Sequence, residues 1–255
     1  IYTQPLNCAR NITFFEWAAP RQGSIATKAL RHKGTLQQRL FVATSYPDSR
    51  YNHYILYGII RNQVMKTEKQ KMLAGELYNA LDKQLSDERT TTRLLLKRLN
   101  ETAEGESELR VEILEQLLPN SRAGLWVQPP FYCDYGYNIE IGEKVFFNFN
   151  CVVLDVTYVK IGDRTLFGPN VQIYTATHPV NFKERAAGLE FARPIVIGED
   201  VWIGGSAVIC AGVTVGDRTI VGAGSVVTRD IPSDVFAAGN PCRVIRKLTE
   251  GEVGG

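Results

Sequence analysis

The sequence predicts a mainly β protein, a parallel β-helix standing behind a short helical segment. Three features lead there. From Ile141 onward an apolar, mostly β-branched residue recurs every six positions, glycine often follows it directly, and the register breaks outright after His178. A period of six is neither helical nor that of a hairpin meander. It suits a solenoid in which each hexad supplies one short strand and one turn.

Taken in order, residues 1–64 come first. They hold eight Lys or Arg against only Glu16 and Asp48, contain no methionine, and begin at Ile1. This stretch reads as an appended segment. A basic, acid-poor N-terminus can mark organellar import, but Phe14, Phe15, Trp17 and the Tyr51-Asn52-His53-Tyr54 cluster fit that poorly. A mis-assigned start or an upstream fusion is the favoured reading.

Residues 65–128 are expected to be helical. Met72, Leu73, Leu77, Tyr78 and Leu81 form an apolar stripe at helical spacing. Ser86 or Asp87 is expected to cap a second helix carrying Leu94, Leu95, Leu96 and Leu99. After Gly105 a third helix holds Leu109, Ile113, Leu114, Leu117 and Leu118 until Pro119 stops it.

The β-helix is expected over 129–248, with a protruding loop at about 179–194 and a tail at 249–255. Its leading positions are Ile141, Phe147, Val153, Ile161, Phe167, Ile173, Ile197, Ile203, Ile209, Val215, Val221 and Val227, with a two-residue slip after Val153. Three hexads make one triangular coil, so about four coils fit between 139 and 230. Glycine at 142, 162, 168, 198, 204, 216 and 222 suits a corner where a Cβ would crowd the turn or where φ is positive.

Composition narrows the function classes. Hydrophobic residues are 44% and charged residues 22%, as in an ordinary globular protein, and the net charge of +2 suggests neither a nucleic-acid nor a membrane partner. Five cysteines without CxxC spacing argue against a disulfide framework and against zinc, and make a reducing cytoplasm the expected setting.

Several stretches carry a resemblance. They are AGELYNA at 74–80, PPFYCDYGYNIEIG at 129–142, FNFNCVVLD at 147–155, IYTATHP at 173–179, IGEDVWIGG at 197–205 and VGAGSVVTRDIPSDVFAAGNPCRVI at 221–245. Together with the hexads they resemble the hexapeptide-repeat acyltransferases, in the maltose/galactoside acetyltransferase branch that also includes nodulation acetyltransferases. The resemblance covers Met65 to about Leu248. It implies a left-handed β-helix, acetyl-CoA as donor, a sugar hydroxyl as acceptor, and a homotrimer with active sites between neighbouring subunits. It implies no metal.

Carried over residue by residue, the resemblance makes His178 in TATHP the catalytic base. Imidazole, with an ordinary pKa of about 6.5, can take the hydroxyl proton as the acceptor attacks the thioester directly. Asn148, Asp155 and Asp134 are the acceptor-side candidates; each could equally cap a turn. On the donor side Gly205 would offer its N–H to the thioester, Ala223, Thr228 and Arg229 would follow the pantetheine arm, and Arg243 and Arg246 would meet the phosphates. Trp202 reads as a packing residue. Relatives acting on galactosides carry acids where this chain has Ala80 and Val156, which favours a glucose- or maltose-type acceptor. Other acceptors, an amino sugar or a lipid-linked sugar, stay open. The γ-type carbonic anhydrase, on the same solenoid, needs three histidines; the β-helix here has only His178, with His32 and His53 in the appended segment. A trimeric scaffold without catalysis is the remaining alternative.

Overall fold

The computed structural model describes residues 26–32, 35–44, 55–61 and 65–249. The chain divides between Met65 and Lys66 into two compact units. In the first, β1 (Ala26–His32), β2 (Thr35–Thr44) and β3 (Ile55–Arg61) form an antiparallel sheet in the order β1-β2-β3. Phe14, Phe15, Trp17, the Tyr51–Tyr54 cluster and the end of the tail lie outside the described residues.

The second unit opens with α1 (Glu68–Leu73), whose N-terminus is closed by a reciprocal capping box between Thr67 and Gln70. The expected stripe does not continue. After Gly75, which has φ +71°, Tyr78 enters a short strand, β4 (Tyr78–Asn79), and Leu81 is 82% exposed. The second helix, α2 (Lys83–Asn100), starts earlier than expected. Its cap is Asp82, whose Oδ1 accepts the N–H groups of Gln84 and Leu85, and Ser86 and Asp87 lie within the helix. The third, α3 (Ser107–Leu117), ends before Pro119 as expected.

These helices close one end of the solenoid. Leu96, Leu99, Ile113, Leu114, Leu117 and Leu118 join Val127, Phe131 and Phe147 in one buried core. Asn100 pairs both ways with the Phe131 backbone, at 3.0 and 2.8 Å, giving the outermost coil polar partners that a bare edge would lack.

The solenoid has three faces, on which successive coils lay their strands side by side. The first two coils supply β5 (Trp126–Val127), β6 (Phe131–Cys133), β7 (Ile139–Ile141), β8 (Phe146–Phe147) and β9 (Cys151–Leu154). The third supplies β10 (Val159–Ile161), β11 (Leu166–Phe167) and β12 (Gln172–Tyr174). The chain then leaves as β13 (Ala176–Thr177), α4 (Phe182–Ala186) and β14 (Leu189–Ala192). It rejoins with β15 (Ile195–Ile197), β16 (Trp202–Ile203), β17 (Val208–Ile209), β18 (Thr214–Val215), β19 (Ile220–Val221) and β20 (Val226–Val227). It finishes with β21 (Val235–Ala238) and the antiparallel β22 (Arg243–Lys247). The first face is β7-β10-β15-β18, the second β5-β8-β11-β16-β19-β21-β22 and the third β6-β9-β12-β17-β20. About six turns result, the four expected between 139 and 230 plus one at each end.

All twelve leading residues are buried, none more than 2% exposed. They stack on their counterparts: Phe147 and Phe167 lie parallel with ring centroids 4.4 Å apart. The glycines are needed for one of the two expected reasons. A Cβ on Gly162 would stand 2.5 Å from the Glu199 nitrogen, and one on Gly204 2.5 Å from the Ala223 nitrogen, because the next coil passes directly over them. Positive φ is not the cause. The left-handed corners fall two residues further on, at Lys144, Asn150, Arg164, Asn170, Asp200, Ser206, Arg218 and Asp234, with φ between 55° and 61°, and at Gly124, Gly212 and Gly224.

Gly162→Ala is expected to destabilise the fold by about 2–4 kcal/mol in urea melts, since backbone rather than a pliable side chain must give way. Lys144→Gly should stay within about 1 kcal/mol of wild type, relief of the left-handed corner offsetting the added freedom of the unfolded chain.

Candidate active site

The second face carries an outward ladder of apolar side chains in continuous register: Trp126, Phe146, Leu166, Trp202, Ile220 and Phe236. Its lower half forms a groove of about 740 Å³ lined by Trp202, Gly204, Gly205, Ile220, Gly222, Ala223, Phe236 and Arg246. Trp202, read as a packing residue, is 53% exposed and forms a wall of this groove. Arg246 stands over the Phe236 ring at 5.8 Å, so a cationic head sits at the end of an apolar trough. Three of the donor-side candidates, Gly205, Ala223 and Arg246, therefore share one site, and Arg243 lies on the same strand as Arg246, β22. Such a trough suits a long, mostly apolar arm ending in anionic groups.

Thr228 and Arg229 are elsewhere. They follow β20 and are exposed on the edge between the third and first faces. His178 leaves from the same edge, beyond β13. In a three-sided prism this edge is the one opposite the second face, so one chain alone does not bring His178 to its own groove. Asn148 sits on a different edge again, between β8 and β9, half-buried, with its Oδ1 accepting the Phe149 N–H at 2.8 Å.

His178 is exposed, and its Nδ1 lies 3.5 Å from the Leu189 carbonyl oxygen. A carbonyl only accepts, so this contact favours the proton on Nδ1 and the lone pair on Nε2. The loop that begins here is tied to itself. Asn181 caps α4 through the Lys183 N–H, and Arg185 donates to the carbonyls of Pro179 and Val180 at 2.9 and 3.1 Å. β13 pairs with β14 through Ala176↔Ala192 and Thr177↔Phe191.

Asp134 and Asp155 lie one coil apart on the His178 edge, and the structure separates their roles. Asp134 is half-buried. Burial raises its carboxyl above the usual range, the charges of Arg89 and Arg93 oppose this, and Glu190 adds to it. Asp155 is 0% exposed, and its carboxylate accepts the N–H groups of Asp134, Tyr135 and Gly136 at 2.9, 2.9 and 2.7 Å. Expected at the acceptor surface, Asp155 instead holds the turn that presents Asp134. Its residue type was legible as a turn-capper, but the partner turn twenty residues away was not. Ala80 and Val156, where galactoside-type relatives carry acids, belong to one apolar cluster with Met72, Tyr78, Leu85 and Tyr135. Among the described residues no three metal-ligating side chains come together.

Burial pushes the Asp155 carboxyl up to about 7, against the lowering effect of its three N–H donors. The folded chain thus holds this proton to a higher pH than an unfolded aspartate does. The stabilisation that follows is complete below about pH 4 and is lost as pH rises through about 7. In urea melts from about pH 5 to about pH 8, the margin of wild type over Asp155→Asn should narrow as pH rises. A margin that widens contradicts this assignment.

The pattern of the maltose acetyltransferase hexapeptide capping motif matches residues 71–121, and that of the bacterial transferase hexapeptide, as six repeats, matches 194–229. Nodulation protein L of Rhizobium meliloti (strain 1021) is 50% identical over 179 residues, covering 70% of this chain and 98% of that protein. The crystal structure of a maltose O-acetyltransferase from Clostridium difficile 630 superposes with a TM-score of 0.71 at 48% identity, over 72% of this chain and 99% of that one. A galactoside acetyltransferase in complex with coenzyme A gives 0.71 at 39% identity, over 73% and 93%. With this agreement of sequence, solenoid and groove, the chain belongs to the hexapeptide-repeat acetyltransferases, left-handed β-helix enzymes, in their maltose and galactoside O-acetyltransferase branch.

Proposed function

We propose that the chain transfers the acetyl group of acetyl-CoA to a sugar hydroxyl, with a glucose- or maltose-type acceptor, and that it does so as a homotrimer. The observation that carries this reading is the placement of His178. It is an exposed imidazole at the root of a braced loop, with its Nδ1 against a carbonyl. In the reaction, Nε2 takes the proton of the acceptor hydroxyl as its oxygen attacks the thioester carbon. The tetrahedral intermediate collapses to the acetyl ester, and the departing thiolate recovers the proton from the imidazolium as free CoA. The apolar groove takes the pantetheine arm, the Gly205 N–H faces the oxyanion, and Arg243 and Arg246 meet the phosphates.

The same geometry favours an assembly of copies over a single chain, and the trimer is the assembly that the family resemblance implies. His178, Thr228 and Arg229 stand on the edge opposite the second-face groove, so His178 of one copy works against the groove of another. On the acceptor side, Asp134 and Asn148 present a carboxylate and an amide to sugar hydroxyls, with Asp155 as the support of Asp134. Ala80 and Val156 favour glucose- or maltose-type acceptors over galactosides, because the cluster that holds them offers no carboxylate at either place. The reducing cytoplasm remains the proposed setting; the described cysteines are all free thiols, and burial raises each of them.

Thiol release from acetyl-CoA, measured against a panel of maltose, glucose, glucosamine and galactosides, tests the reading. Maltose or glucose should give the highest kcat/KM; a preference for glucosamine would move the acceptor to amino sugars. His178→Ala should lower turnover by at least ~10²-fold while light scattering shows an unchanged trimer. Arg246→Ala should raise KM for acetyl-CoA by about tenfold with kcat preserved, as expected for a phosphate contact made equally in ground and transition states. Turnover near wild type in His178→Ala would sink the mechanism.

A further inference from the structure

The strand that faces His178 is held from its other side by the helical segment. β14 pairs with β13 on one edge and with β4 on the other, through Leu189↔Asn79 and Glu190↔Tyr78. Each pairing is only two residues long, too short to fix a register by itself, and a one-residue slip would turn every side chain of β14 over. Something else must set the register. Tyr78, 1% exposed, donates its hydroxyl to Glu190 Oε2 at 2.9 Å. Its ring is packed among Met72, Leu85, Tyr135, Val156 and Ala192. β4 is in turn pinned to α1, since Glu68 Oε2 accepts the Asn79 N–H at 2.6 Å. Leu189, the residue before Glu190, is the one whose carbonyl stands at His178 Nδ1.

We propose that Tyr78 and Glu190 are positioning residues for His178: their hydrogen bond sets the height of β14, and so keeps the Leu189 carbonyl opposite Nδ1. The helical segment then does more than close the end of the solenoid. It determines which imidazole nitrogen carries the proton, leaving Nε2 as the base. A contact of this kind, one hydrogen bond removed from the imidazole, orients a functional histidine without touching substrate. The inference rests on His178 being the base.

The test is steady-state thiol release with acetyl-CoA and maltose on the full chain, combined with the tautomer signature of ¹⁵N-labelled histidine, the His178 signal being identified by its loss in His178→Ala. Tyr78→Phe and Glu190→Ala should each lower kcat by about tenfold, with KM for acetyl-CoA unchanged. The double variant should be no slower than either single one. Glu190→Gln, which keeps an acceptor oxygen for the Tyr78 hydroxyl, should remain near wild type. The Nδ1–H tautomer should dominate in wild type and in Glu190→Gln, and give way to a mixture in the two damaging variants.

Wild-type kcat and tautomer in Tyr78→Phe and Glu190→Ala, with His178→Ala inactive, would overturn the latch and leave the base standing. Independent, multiplying losses in the double variant would overturn it as well. Active His178→Ala would remove the base and the latch together. Should Tyr78→Phe fail to fold, equal kcat in Glu190→Gln and Glu190→Ala would decide against the latch alone.

Discussion

Coils that stack with no room between them are the constraint on which this structure depends. The N–H after each leading residue donates to the carbonyl of the next coil, as Gly142 does to Ile161 and Gly162 to Ile197, at 2.9 and 2.8 Å. At that spacing a side chain on the corner glycine would collide with backbone, while the inward Ile, Val and Phe must match in size from coil to coil. Rigidity follows, and so does a fixed place for everything attached to an edge or a face. A slip in one coil would displace all those above it.

That rigidity assigns different chemistry to different sides. The edge between the first and second faces is an ionic ladder, with Arg164 forked on Asp200 and Arg218 on Asp234. These pairs are exposed and contribute little each. The second face is apolar and grooved, and the loop with His178 leaves from the edge opposite it. Because a stiff prism cannot fold back on itself, two functional parts on opposite sides can meet only through another copy. The cavity and the base thus make oligomerisation a condition of the proposed chemistry.

Much of this was legible in the sequence, and the failures are instructive. Side chains that alternate between inside and outside leave a period, and every leading residue from Ile141 to Val227 proved buried. Local propensity misled where long-range contacts decide. Tyr78 fits a helical stripe through its spacing of three from Leu81, but a two-residue pairing with β14 makes it a strand. Asp82 caps α2, whereas Ser86-Asp87, with the same capping chemistry, lies inside the helix. Most left-handed corners fall on Lys, Arg, Asn, Asp or Ser, and only at Gly124, Gly212 and Gly224 does a glycine mark the same place in the hexad. Trp202 and Asp155 invert what residue type suggests: the large apolar residue is outside, where it borders a groove, and the carboxylate is inside, where three N–H groups meet it. Neither fact leaves a periodic trace.

The most direct test of the account is a crystal structure of the protein with coenzyme A bound. The pantetheine arm should run along Trp202, Ile220 and Phe236 of one copy, with its sulfur within about 4 Å of Nε2 of His178 from a neighbouring copy. A thiol lying against another face, or beside the His178 of the chain that supplies the groove, would contradict it.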